Sequence, residues 1–151
     1  MKLKILWIPI ICILFITGCS KSDESKDDVS GEVAEVKVTD PMANIGIGPI
    51  SKVDLSSEID QLLVSSGKEV YDLKCTPCHK ETEKFIGPPP AGIMERRNPA
   101  WIMNMMMNPD EMVLKDPIAR ALLIEYNGAP MANQSLSEEE ARAVLEYFRT
   151  L

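Results

Sequence analysis

The run Cys75-Thr76-Pro77-Cys78-His79 constrains this chain more than any other feature, because His79 is the only histidine among its 151 residues. A C-x-x-C-H run is the attachment signature of c-type haem. Two residues between the thiols let them reach the two vinyl groups of one macrocycle, and the histidine that follows directly can bring its imidazole to the face of the ring. A structural zinc site would need four ligands. Beyond these three residues the chain offers only Cys12 and Cys19, both in an N-terminal export segment. A thioredoxin-like dithiol should open a helix after a strand, within a βαβ pattern. The residues before Cys75 instead read as helix, and no strand-rich pattern follows. Haem is the expected cofactor.

Lys2 and Lys4 precede an almost wholly apolar run from Ile5 to Ile16. It is short for a permanent bilayer span and suits the apolar core of a secretory signal. Ile16-Thr17-Gly18-Cys19 resembles a bacterial lipobox, which implies cleavage before Cys19 and lipid on its thiol and new amino group. An uncleaved anchor helix is the alternative. Residues 1–18 therefore read as a lipoprotein signal peptide. The mature protein is expected on the periplasmic face, tethered to the inner or the outer membrane. Cys12 leaves with the signal, Cys19 takes lipid, and Cys75 and Cys78 take haem, so no disulfide is expected. Residues 19–53 begin with charged and small side chains (Lys21 to Asp28) that have nothing apolar to bury. They read as a flexible acidic linker, with room for a short strand or strap at about 33–50.

Residues 54–151 form one domain with a helical pattern. Leu55, Ile59, Leu62, Leu63, Val70 and Leu73 recur at helical spacing ahead of the motif, with Gly67 as a break or close-packing point. Asn98-Pro99, Asn108-Pro109 and Asp116-Pro117 each place a capping side chain before a proline suited to the first helical position. They predict helices over about 99–107, 109–114 and 117–126, the last ended by Asn127-Gly128. Ser137-Glu138-Glu139-Glu140 has the form of a capping box, opening an amphipathic helix with Ala141, Val144, Leu145 and Phe148 on one face. The fold class is all-α with long loops, wrapped around one haem.

A sixth ligand to the iron cannot be a second histidine. Methionine is the leading candidate, and the chain has nine. Met94, Met103, Met105, Met106, Met107 and Met112 fall in or near helical segments, where a thioether is usually core filling. Met131 instead follows Gly128-Ala129-Pro130 on a loop just before the last helix, where helices on both sides can fix it.

Over about 57–151 the chain resembles the class I cytochrome c family. The marks are a helix carrying Gly67 and Tyr71, then Cys75-x-x-Cys78-His79, Gly87-Pro88, Trp101, Pro130-Met131, and a final helix with Val144-Leu145-Glu146-Tyr147-Phe148. The resemblance implies that the first and last helices cross, that Pro88 offers its carbonyl to the proximal imidazole, and that His79 and Met131 ligate the iron. It further implies that Trp101 and Arg96 or Arg97 meet the haem propionates. Two departures are Ala132, where a proline is common, and the Met-rich run 103–107.

Histidine–methionine ligation favours reduced iron and closes the sixth site. The expected function is a membrane-tethered monohaem carrier of single electrons rather than an enzyme. It would run between a respiratory donor and an exported acceptor, a terminal oxidase or nitrous oxide reductase. A haem enzyme or gas-binding sensor with a displaceable sixth ligand is the alternative. A monomer with no nucleic-acid partner is expected. Residues 55–151 carry 15 acidic and 10 basic side chains, which suggests acidic steering toward a basic patch on the partner.

Overall fold

Cap residues set most helix boundaries here. The computed structural model describes residues 40–151, and it contains α1 (Gln61–Lys74), α2 (Pro99–Met107), α3 (Pro109–Lys115), α4 (Pro117–Glu125) and α5 (Glu138–Phe148). A 3₁₀ turn spans Ile93–Glu95, and no strand occurs among the described residues. The expected signal peptide, Cys12 and Cys19 lie outside the described residues. Asp60 Oδ1 accepts from the N–H groups of Leu62 and Leu63 at 2.9 and 3.2 Å, which starts α1. Asn98 caps α2 through Ala100 N–H, and Asp116 caps α4 through Ala119 N–H. At α5 both bonds of the Ser137–Glu140 capping box are present. Asn108 is the exception. It makes no side-chain cap bond, and its amide nitrogen donates to Ile47 O and Glu111 Oε2.

Helices α1 and α5 pack closely, and the contact is set by the absence of a side chain. A Cβ on Gly67 would overlap the Ala143 carbonyl and approach Val144 N to 2.8 Å. The Tyr71 ring lies 5.5 Å from Tyr147 and 5.8 Å from Phe148, centroid to centroid, extending the seam along α5. This narrow stripe runs through Val64, Gly67 and Tyr71. Leu62 and Leu73, expected on the apolar face, fall outside it and are 81% and 76% exposed. Glu146 on α5 is fully buried but satisfied: Arg142 and Arg149 donate to it at 2.6 and 2.5 Å, and Asp60 N–H at 3.0 Å. Burial pushes its carboxyl up, but these donors outweigh that and hold it below the usual carboxylate range. Arg149 also donates to Ser56 O, so the same cluster fixes the approach to α1.

Residues 40–53, assigned to the linker from sequence, pack against the rest of the domain from Pro41 onward. The domain edge drawn at 54 is therefore too late, and the strap expected within 33–50 is seen in its described part. Its anchor is the fully buried Asn104 on α2. Asn104 Oδ1 accepts from Ile50 N–H at 3.0 Å, while Nδ2 donates to Ile45 O and Ile50 O at 2.9 and 2.8 Å. Asn44 Nδ2 donates to Asp116 at 2.6 Å, and Ile47 N–H points at Met112 Sδ at 2.9 Å. Gly46, at φ +76°, lies against Met112 and Trp101 where a Cβ has no room. The strap holds through its backbone groups, the side-chain amides of Asn44, Asn104 and Asn108 and the buried Ile50, and these do not make an apolar periodicity that would reveal it.

Asn104→Ala should leave the Ile50 N–H without its partner, at a cost of about 1–3 kcal/mol. The melting temperature should fall by several degrees, and limited proteolysis within 40–53 should accelerate. Unchanged values for both would show that the strap is not held by this residue.

Candidate functional site

The motif forms by continuing α1 one turn past its end. Cys75 N–H donates to Tyr71 O at 2.9 Å, and the N–H groups of Cys78 and His79 both return to Cys75 O, at 3.0 and 2.9 Å. Thr76 Oγ1 closes onto Asp72 O at 2.7 Å. Both thiols and the imidazole are thus held on one tight turn. Cys75 is half-buried and Cys78 exposed, and both are free thiols. Burial pushes the Cys75 thiol up to about 11. No group of three or more His, Cys, Asp or Glu among the described residues is arranged to hold a metal ion, so these residues supply no zinc site around the motif.

His79 is oriented from three sides. Its Nδ1 lies 2.8 Å from Pro88 O. A carbonyl can only accept, so Nδ1 carries the proton and the lone pair is on Nε2, the nitrogen a metal would use. Gly87 lies flat against the ring, and a Cβ there would come to 2.8 Å of Nδ1 and 2.9 Å of Nε2. Gly87 N–H is tied to Cys78 O at 2.8 Å, which closes the loop back onto the motif. Tyr71 OH donates to His79 O at 3.2 Å. Burial pushes that phenol up to about 12, so it remains a donor across the working pH range. Two free thiols, an imidazole locked with Nε2 available, and a glycine that clears the ring form a donor set that fits a c-type haem.

Met131 lies in the loop between α4 and α5, half-buried and packed against the core. The turn that leads into it has Asn127 and Gly128 at φ 58° and 74°. Met103, Met106 and Met112 are buried core residues, while Met94, Met105 and Met107 pack around them half-buried.

The residues linked to propionates by resemblance are placed differently. Trp101 is buried, and its single N–H donates to Asp116 Oδ1 at 3.1 Å. That donor is engaged within the core. Arg96 Nη1 donates to Ala91 O at 2.8 Å and Nη2 to Pro89 O at 3.2 Å, so its fork grips the proline loop. Arg97 donates to Arg96 O at 2.7 Å and stands over the Trp101 ring at 5.5 Å. Burial lowers its pKa. Of the two arginines, Arg97 is the one that borders a cavity, of about 200 Å³, together with Pro41, Ile118, Leu122 and Glu125. Sequence reasoning missed Asn44, Asn104 and the second role of Asp116. The Asp116-Pro117 pair announced a cap, but nothing local showed that the same carboxylate also receives Trp101 and Asn44.

An all-α domain with this donor set is a c-type haem domain. The cytochrome c family model matches residues 64–151. Among solved structures, a cytochrome c from Rhodothermus marinus is 43% identical, with the match covering 74% of this chain and 96% of that one at a TM-score of 0.70. An engineered cytochrome c from the same organism, bound to a carbene intermediate, is 42% identical over 68% of this chain and 88% of that one, at a TM-score of 0.63. The cytochrome c domain of a Pseudomonas putida protein is 29% identical over 56% and 85%, at a TM-score of 0.52. No protein of curated function matches. The chain belongs to the cytochrome c family. It carries one haem c attached through Cys75 and Cys78, and its domain serves haem-based electron transfer.

Gly87→Ala should force a methyl group against the imidazole while leaving both thiols in place. Haem should still attach, and the ferric absorption spectrum should shift toward a high-spin mixture as the axial bond weakens. A spectrum identical to wild type would show that the ring tolerates the displacement.

Proposed function

We propose that this protein is a monohaem electron carrier, tethered to the periplasmic face of a bacterial membrane through lipid on Cys19. It passes single electrons from a respiratory donor to an exported terminal oxidase or reductase, nitrous oxide reductase among them. When bound, the haem iron takes up and releases one electron. His79 would hold the iron through Nε2, and Met131 would hold it from its loop. The observation that carries this reading is the 2.8 Å contact between His79 Nδ1 and Pro88 O, which orients the imidazole for permanent ligation. Met131 supports the second ligand because it is the methionine held on a loop near the core rather than within a helix. Methionine at that position favours reduced iron and blocks small ligands, as suits outer-sphere transfer.

Acidic side chains near the motif support the steering reading. Lys74 Nζ bonds Glu140 at 2.9 Å, which fixes the first turn of α5 beside the end of α1 next to Cys75. That turn carries exposed Glu138 and Glu139. Lys80 and Lys84, which follow the motif in sequence, stand over the Phe85 and Tyr126 rings. The engineered relative with its carbene intermediate favours the second reading, a haem protein whose sixth ligand can be displaced.

Carbon monoxide separates the two. The reduced wild-type protein should show no spectral change with the gas. Met131→Ala should bind it, lose the weak sulfur-to-iron charge-transfer band and have a lower potential. Rapid binding by the wild type would support a displaceable ligand, and an unchanged Met131→Ala variant would remove Met131 from the coordination sphere.

A further inference from the structure

The loop that carries the Pro88 carbonyl has an unusual difficulty. Pro88, Pro89 and Pro90 supply no backbone N–H, so the segment cannot brace itself with donors of its own. Its four successive carbonyls are instead engaged one by one. Pro88 O accepts from His79 Nδ1 at 2.8 Å, and Pro90 O accepts from Ile93 N–H at 2.9 Å. Pro89 O and Ala91 O accept from the two ends of one guanidinium, Arg96 Nη2 at 3.2 Å and Nη1 at 2.8 Å. Ala91 N–H then ties the far end of the loop to Glu81 O at 2.9 Å. Gly92 makes room for the fork. It sits at φ +66°, and a Cβ there would come to 3.1 Å of Arg96 Nη1.

We propose that Arg96 is a positioning residue for the axial imidazole, holding the Pro88–Ala91 loop so that the Pro88 carbonyl keeps its hydrogen bond to His79 Nδ1–H. The proposal rests on His79 being the ligand of a bound haem. Its consequence is electronic. A hydrogen bond from the outer nitrogen to a carbonyl raises the basicity of the ligating one, which favours oxidised iron. Loosening the loop should therefore raise the potential. Loss of a positive charge beside a haem propionate would do the opposite, since a nearby cation favours the reduced, less positive centre. Arg96→Lys separates these effects because it keeps the charge and removes the planar fork that reaches two carbonyls at once.

The test uses the haem-loaded full-length protein with Arg96→Lys beside wild type. The potential is read by redox titration, and exchange of the His79 Nδ1 proton with solvent is read by NMR in the diamagnetic reduced state. The potential should rise, and exchange should quicken about fivefold, the factor that accompanies a net loss near one hydrogen bond's contribution. A wild-type value for either quantity overturns the proposal. Should Arg96→Lys fail to accumulate, Arg96→Gln is read by proton exchange alone, where a wild-type rate overturns it. Failure of the haem reading would look different, as wild-type protein that holds no covalent haem.

Discussion

The contact between His79 and Pro88 fixes more of this protein's chemistry than its single hydrogen bond suggests. Because a carbonyl has no hydrogen to give, the contact decides the tautomer of the only histidine and leaves the Nε2 lone pair free for a metal. Much of the surroundings can be traced to keeping that contact in place. The turn from Tyr71 O to Cys75 and from Cys75 O to His79 sets where the ring begins. Gly87 lets the loop lie flat on it, and Tyr71 OH holds the His79 carbonyl. Without the proton on Nδ1 the neutral ring would carry it on Nε2, and that nitrogen would have no lone pair to offer a metal.

Behind this loop the scaffold is narrow. Helices α1 and α5 meet at Gly67, so the seam that positions Cys75 depends on backbone approach and on the Tyr71–Tyr147–Phe148 ring cluster. A domain of this size buries a modest core, and two buried polar centres supplement it. Glu146 gathers Arg142, Arg149 and Asp60 at the α5 end. Asp116 gathers Trp101, Asn44 and Ala119 under the strap. Each joins segments distant in sequence, and each leaves its buried carboxylate with donors, which is the condition for a buried charge to be tolerated.

Local chemistry was legible in the sequence, and long-range polar pairing was not. The helices from α2 to α5 could be read because Asn-Pro, Asp-Pro and Ser-x-x-Glu each act within a turn. The motif could be read for the same reason, since its function lies in spacing. Leu62 and Leu73 misled because helical periodicity identifies an apolar stripe without saying which part the neighbour covers. Asn108 makes no cap bond, and its amide nitrogen instead ties the strap at Ile47 O, 61 positions away, a pairing no local pattern shows. The strap itself was hidden because Asn104 holds it through backbone groups, which carry no side-chain pattern. Trp101 and Arg96, linked to the haem by family likeness, donate in this structure to Asp116 and to the proline loop.

The central claim is that Cys75, Cys78 and His79 hold a covalent haem, and it is tested most directly by haem-stained denaturing electrophoresis. Protein made in a host with haem-attachment machinery should keep its stain on the unfolded chain. Cys75→Ser combined with Cys78→Ser should lose it. A wild-type band that loses its stain on denaturation, or a double variant that keeps it, would contradict the account.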